Sequence, residues 1–241
     1  MENFLKEEMN KLEIQLNDKQ ITQFLTYYEL LVEWNKFMNL TAITDFKEVV
    51  QKHFVDSLSI VKALDQKYLQ TGNISVIDIG TGAGFPGIPL KIVFSGLNIT
   101  LLDSLNKRIK FLDNVIEELS LKDIKAIHGR AEDYARRENF REQYDICVSR
   151  AVAKLITLSE YSLPFVKIGG YFISYKSENI EEEIDDSKNA IKLLGGSLNE
   201  VVKFILPDTD IKRSIVTIKK EKMTNKKYPR KSGIPSKEPL K

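Results

Sequence analysis

The residues of this chain whose types and spacing could do chemistry begin with Asp78-Ile79-Gly80-Thr81-Gly82-Ala83-Gly84-Phe85-Pro86-Gly87, a run that follows the apolar stretch Ile74 to Ile77. Glycines at alternate positions let the backbone take positive φ and remove the β-carbons that would hold a ligand away from the main chain. The run therefore reads as a ligand cradle, with a ligand-free glycine turn as the plainer alternative. Dinucleotide enzymes use G-x-G-x-x-G, whose helix start receives a pyrophosphate. Here Phe85 stands where the third glycine should be. An acid before the first glycine repels a pyrophosphate but suits the ammonium end of an amino-acid-like cofactor. S-adenosylmethionine, with its α-amino group and sulfonium, matches that charge better than NAD. Gly80, Gly82 and Phe85 are the first candidate cofactor contacts, and methyl transfer is the chemistry they suggest.

Three further positions share one property. Asp103, Ala131-Glu132 and Arg150 each follow a short apolar run, namely Asn98 to Leu102, Ile124 to His128 and Tyr144 to Ser149. Open α/β sheets bind ligands beyond the carboxyl ends of their strands, so these positions would converge on the glycine cradle. Asp103, with Ser104 beside it, lies about 20 residues past the cradle, where a carboxylate can accept hydrogen bonds from both ribose hydroxyls. Glu132 and the backbone of Ala131 are placed to read an adenine edge. Each has a structural alternative. Asp103 could cap the next helix, Glu132 could be an acid favoured at a helix start, and Arg150 could be an ion-pair partner. Four strand ends with suitable residues are more specific than one glycine motif.

Behind these positions stand the elements that must hold them. Residues 1 to about 70 read as helical. Asn17-Asp18 can cap a helix with Ile21, Phe24, Leu25, Tyr28, Leu31 and Val32 on one stripe. Asn39 to Thr44 breaks the period, and a second helical stretch from Asp45 toward Leu64 puts His53 and Asp56 on one face. His53 reads first as a hydrogen-bonded structural histidine, and Trp34 as core. Strands and helices then alternate to a fifth strand, Tyr171 to Tyr175, ended by Lys176. A helix from Glu178 to Leu194 and two last strands, Val201 to Leu206 and Ser214 to Lys219, complete the pattern. Repeated β-α units imply a mainly parallel sheet. The expectation is an α/β fold of the class I S-adenosylmethionine-dependent methyltransferase type, Rossmann-like, with a mostly parallel seven-stranded sheet. Residues 1–70 would be an N-terminal helical cap, 71–220 the S-adenosylmethionine-binding domain and 221–241 a basic C-terminal arm.

Composition sets bounds on function. A chain of 241 residues is long enough for one sizeable α/β domain and an appendage. Its apolar runs fall short of the roughly 20 residues a membrane span needs. The N-terminus lacks a signal-peptide pattern, so a cytoplasmic location without membrane association is expected. Cys147 is the single cysteine, which excludes an internal disulfide and a cysteine-rich zinc site; no metal is expected, and Cys147 reads as a core residue. Lys219 to Lys241 holds nine Lys or Arg against Glu221 and Glu238, a net +7, so the remaining residues carry −5 of the overall +2. A mildly acidic body with a basic end points to a polyanionic partner. Pro229, Gly233, Pro235 and Pro239 suggest an extended arm, and Arg136, Arg137 and Arg141 could widen the positive footprint.

The motifs resemble those of the bacterial 16S rRNA guanine-N7 methyltransferase family (RsmG, also GidB). The resemblance rests on Asp78 to Leu90, Asp103-Ser104 with Lys107-Arg108 and Phe111-Leu112, Arg130-Ala131-Glu132, Ser149-Arg150-Ala151-Val152-Ala153 and Tyr228-Pro229-Arg230. Asn39 to Ile43 and His53 to Leu58 match it too. It implies an S-adenosylmethionine site built from Gly80, Phe85, Asp103, Ala131, Glu132 and Arg150. It also implies a guanine target in the small-subunit rRNA loop near the decoding centre, so that the partner is 16S rRNA or the 30S ribosomal subunit; separately, a monomer is expected. One departure is Ser177 after Lys176, where relatives are expected to carry glycine.

Guanine N7 offers a lone pair without first losing a proton, so no general base is required. Exocyclic-amine enzymes carry Asp or Asn before Pro-Pro and an aromatic after the fourth strand, and this chain has Ser149-Arg150-Ala151-Val152 there. Arg150 is the candidate catalytic residue, orienting the target base or a nearby phosphate, with Lys176 as a weaker candidate. The rival functions are a methyltransferase acting on a small molecule, an RNA-binding protein without catalysis, and a nucleotide-dependent dehydrogenase.

Overall fold

A computed structural model describes residues 1–150 and 153–240, so Ala151 and Val152 of the motif after the fourth strand lie outside the described residues. The chain opens with α1 (Glu2–Asn10) and α2 (Asp18–Met38). Asn17 caps α2 in a reciprocal box: its side chain accepts from the Gln20 amide and the Gln20 side chain accepts from the Asn17 amide. Asn39 ends it in the left-handed region at φ 51°. A second helical stretch follows in four parts: α3 (Phe46–Val49), a wide turn (Val50–Val55), α4 (Asp56–Leu58) and a tight turn (Ser59–Lys62); α5 (Gln66–Gln70) then leads to the sheet.

The alternating part runs β1 (Ser75–Ile79), α6 (Gly87–Val93), β2 (Asn98–Asp103), α7 (Asn106–Glu118), β3 (Ile124–His128), α8 (Ala131–Tyr134), β4 (Tyr144–Arg150), α9 (Leu155–Ser162), β5 (Val166–Ser177), α10 (Glu181–Leu193), β6 (Gly196–Ile205) and β7 (Lys212–Lys220). The strands form one sheet in the order β3-β2-β1-β4-β5-β7-β6, parallel except that β7 is antiparallel to both neighbours. Strand order reverses between β1 and β4, which opens a crevice at their carboxyl ends.

Period-two alternation divides the core. Val76, Leu101, Ile146 and Ile173 face α2, α6, α7 and the wide turn. Their neighbours Ile77, Leu102, Cys147 and Phe172 face α9 and α10. Cys147 is buried in that second layer and burial raises its thiol pKa far above the ordinary range. The helical N-terminal region shares one continuous core with the sheet, from Leu5 to Ile215.

The expectation of an extended C-terminal arm is corrected. Residues 221–240 lie against the sheet's second layer and end in α11 (Ile234–Lys237). Arg230 clamps the Glu160 carboxylate through its Nε (3.0 Å) and Nη2 (2.7 Å), and its amide donates to the same group. Glu160 is 1% exposed, and a buried carboxylate needs such a partner. Arg141 donates to the carbonyls of Thr224 and Tyr228, and Arg136 to that of Pro229, so these arginines fasten the segment. Arg137 lies over the Tyr134 ring. No helix among the described residues is long and apolar enough to cross a membrane.

Candidate active site

The loop after β1 is shaped from below. Asp78 is fully buried, and its Oδ2 accepts from Thr81 Oγ1 (2.7 Å) and the Gly87 amide (2.9 Å). It closes the turn and meets no solvent, so the expectation that it attracts an ammonium is replaced by a role in loop geometry. Burial raises its pKa to about 7, against those two hydrogen bonds, and its Oδ1 has no partner. The glycines divide into two kinds. Gly80 and Gly82 hold φ of 68° and 63° and line the cavity above the loop. A β-carbon on Gly84 would instead lie 2.4 Å from Ile88 Cδ1 and 2.9 Å from the Tyr27 hydroxyl, so that glycine serves packing. Tyr27 also donates to the Ala83 carbonyl, tying α2 to the loop.

A cavity of about 390 Å³ is lined by Gly80, Gly82, Phe85, Asp103, Ser104 and Arg150, together with Thr41, His53 and Arg108. Asp103 Oδ2 accepts from the Gly82 amide (2.9 Å) and from Arg108 Nη1 (3.1 Å), and its Oδ1 accepts from the Leu105 amide (2.9 Å). The carboxylate thus joins the end of β2 to the glycine loop with a charge-assisted network. Six of the eight candidate cofactor residues meet here. Ala131 and Glu132 do not line this cavity. Glu132 is buried, and its Oε1 accepts from the Gly233 amide of the C-terminal segment at 2.9 Å.

A second cavity of about 620 Å³ lies on the far side of Arg150 and His53, which line both. Its wall includes Lys52, Asp56, Tyr175 and Arg213. Arg150 is held by Asp56 Oδ2 (3.1 Å) and by the Lys52 and His53 carbonyls, with its Cζ 5.0 Å from the Phe85 ring centre. The wide turn explains the carbonyl contact. The Asp56 amide reaches back to Gln51 and His53 rather than to Lys52, as an α-helix would require, which leaves the Lys52 oxygen for Arg150. Arg213 Nε holds the other oxygen of Asp56 at 3.1 Å.

His53 stacks on Phe85 at 4.6 Å, with Arg150 Nη2 3.3 Å from its Nδ1 and Thr41 Oγ1 2.8 Å from its Nε2. Burial, with the Arg150 charge second, lowers its pKa to about 3, so the imidazole is neutral. Its Nδ1 also lies 3.1 Å from the Lys52 carbonyl, so the ring is held between a group that only donates, Arg150, and one that only accepts. His53 therefore joins the wall between the cavities, a place that helix-face spacing alone did not reveal. Lys176, a weaker candidate for base orientation, also lines the second cavity, where its Nζ donates to the Ala153 carbonyl (2.7 Å) and Glu183 (2.6 Å). Arg108 follows Asp103 closely in the chain and was legible as a possible partner. Arg213 gave no such signal, because only sheet pairing brings β7 beside β5.

The residues fit an adenosyl amino-acid cofactor. Positive-φ glycines open the main chain to the cavity, and a buried carboxylate stands at the end of the neighbouring strand. In comparisons with solved structures, TrmN from Thermus thermophilus superposes with a TM-score of 0.52 at 13% identity, over 71% of this chain and 53% of that one. A putative sarcosine dimethylglycine methyltransferase from Galdieria sulphuraria gives 0.52 at 12% identity, over 68% and 85%. Fold and site together define a class I S-adenosylmethionine-dependent methyltransferase. Within that class the chain belongs to the GidB family, rRNA small subunit methyltransferase G, whose model matches residues 20–215. It is 56% identical to the ribosomal RNA small subunit methyltransferase G of Lachnoclostridium phytofermentans, over 96% of this chain and 94% of that one. The protein of the same name from Alkaliphilus metalliredigens is 53% identical over 98% of both.

Proposed function

We propose that the protein transfers a methyl group from S-adenosylmethionine to N7 of a guanine in 16S rRNA, in the loop near the decoding centre, acting as a monomer in the cytoplasm on the rRNA or the 30S subunit. The observation that carries the reading is the pair of cavities sharing the Arg150–His53 wall, one floored by the glycine loop and one rimmed by basic side chains. The cofactor supplies an electrophilic methyl group on a positively charged sulfur. The chain's own residues bind and align. Gly80, Gly82, Phe85, Asp103 and Ser104 form the cofactor cradle, Asp103 meeting the ribose. Ala131 and Glu132, after β3 and outside the lining of that cavity, are assigned the adenine end.

Arg150 orients the acceptor from the wall. Its guanidinium is already held by Asp56 and two carbonyls, so it needs little rearrangement when the acceptor arrives. Neutral His53 adds no further positive charge beside Arg150 and a cationic donor. No proton has to leave N7 before attack. Alignment and desolvation then supply the acceleration, effects worth about 7–11 kcal/mol in good geometry. N7 faces the deep major groove of an RNA duplex, where side chains reach poorly, so the target guanine is unpaired or exposed.

The test is incubation with methyl-labelled S-adenosylmethionine and undermodified small subunits, followed by mapping of the label. Label on a guanine N7 of 16S rRNA is the expected result. Subunits that take up no label reject the reading. An Arg150→Ala variant with unchanged cofactor affinity and turnover would remove Arg150 from its role.

A further inference from the structure

Resting on the reading that the acceptor is RNA, we propose that Phe37, framed by Lys36, Lys107 and Lys110, is a stacking platform for an unpaired base of the strand flanking the target nucleotide. Phe37 lies in the last turn of α2 and is 67% exposed. Its ring is not loose. It leans on Trp34 at 5.5 Å, and Trp34 leans on Phe111 of α7 at 5.7 Å. One face of a supported aromatic is thus open to solvent, an arrangement that burial cannot account for.

The charges around it are as unusual. Lys36 is exposed beside Phe37, and Lys107 and Lys110 are exposed on the first turns of α7. Lys107 Nζ reaches the Met38 carbonyl at 3.4 Å, which fixes the two helix ends side by side. Among the described residues none of these three lysines has a carboxylate at ion-pair distance. Glu33, one turn before Phe37, is the acid on that part of α2. α7 has no acid in its first turn, and cations there oppose the helix dipole. Helix stability therefore does not explain Lys107, whereas a polyanion does; Lys36, in the last turn of α2, is favoured by that helix's dipole.

Position links the patch to catalysis. Leu40 and Thr41, which follow α2, line the 390 Å³ cavity, as do Ser104 and Arg108 on either side of Lys107. An exposed aromatic, with lysines that lack ion pairs on the same two helix ends and chain neighbours that line that cavity, matches the sequence-tolerant way proteins hold single strands. Bases stack on the ring and phosphates meet the lysines. This surface needs no specific base, so it positions the strand while the neighbouring cavity selects the reacting one.

The test uses the full chain, undermodified small subunits and labelled methyl donor. Phe37→Ala should raise KM for the subunits about tenfold, the size expected for losing one base–aromatic stack. Its kcat at saturating subunits and its calorimetric affinity for S-adenosylmethionine should stay within twofold of wild type. Phe37→Trp should restore KM. The double variant Lys36→Ala, Lys110→Ala should lower the log–log salt slope of binding by about 1.4, or 0.7 per lost phosphate contact. A Phe37→Ala KM within twofold of wild type, or equal loss in Phe37→Ala and Phe37→Trp, overturns the platform and leaves the methyltransferase reading intact. Failure of the wild type itself to label the subunits is the separate outcome that refutes that reading and this one with it.

Discussion

Replacing His53 by glutamine should uncover a fall of stability with rising pH that His53 offsets in the wild type. Burial, reinforced by Arg150, lowers the His53 pKa from 6.5 to about 3. Between those values the unfolded chain binds the proton and the folded one does not. The His53 contribution is therefore complete above pH 6.5 and lost as pH falls toward 3, at about 1.4 kcal/mol per pH unit. Asp78 works the other way. Burial raises its pKa from 3.8 to about 7, so its contribution is complete below 3.8 and lost as pH rises to 7. The two windows overlap from 3.8 to 6.5, and the two slopes nearly cancel in the wild type. His53→Gln leaves Asp78 uncompensated, so unfolding free energy should fall by about 1.4 kcal/mol per unit as pH rises from 4.5 to 6.5. Asp78→Asn should give the mirror-image slope over the same range. Urea unfolding of the three proteins at pH 4.5, 5.5 and 6.5 measures this directly, and with two histidines in the chain the His53 proton resonance is resolvable and should not titrate above pH 4. A His53→Gln curve parallel to wild type would show that His53 is not held neutral by its surroundings.

Other substitutions probe the loop, the carboxylate and the docked segment. Gly84→Ala places a β-carbon 2.4 Å from Ile88 Cδ1 at a φ of 97°; a loss of about 2–4 kcal/mol in thermal or urea unfolding is expected, with weaker cofactor binding. Asp103→Ala removes the acceptor shared by Gly82, Leu105 and Arg108. Calorimetry should show S-adenosylmethionine affinity reduced by about one to two orders of magnitude, the cost of charge-assisted hydrogen bonds, and a change under twofold would count against the ribose contact. Arg230→Ala strands the buried Glu160 carboxylate and should cost about 3 kcal/mol. Because Gly233 is fastened to Glu132 through the same segment, the variant should also bind cofactor less tightly than its stability loss predicts, as equilibrium dialysis at low temperature would show.

Much of the framework was legible locally. The β2 and β3 segments, read as short apolar runs, coincide with the observed strands because turn chemistry bounds each of them. The start of β5 was not. Gly169-Gly170 reads as a turn, yet β5 begins at Val166 and runs through both glycines with a register shift against β4. Glycine in a strand marks a bulge as readily as an end. β6 likewise begins at Gly196, since pairing with β7 extends it through residues whose own propensity is weak. The C-terminal segment misled for a related reason: proline and lysine content describes the chain in isolation, and the buried carboxylate of Glu160 that holds it is supplied by a helix 70 residues away.

By itself the sequence determined where a ligand could approach the main chain. Alternating glycines, and an acid at the end of the next strand, are constraints of backbone conformation and strand direction, which act over a few residues. Tertiary structure alone decided what stands between the two cavities. Arg150 meets Asp56 across 94 residues of chain, and Arg213 meets the same carboxylate across 157. A wide helical turn, unmarked by glycine or proline, frees the carbonyl that completes the clamp. Such contacts form only when packing removes water from charges that would otherwise remain solvated, and no local pattern records which charges those will be.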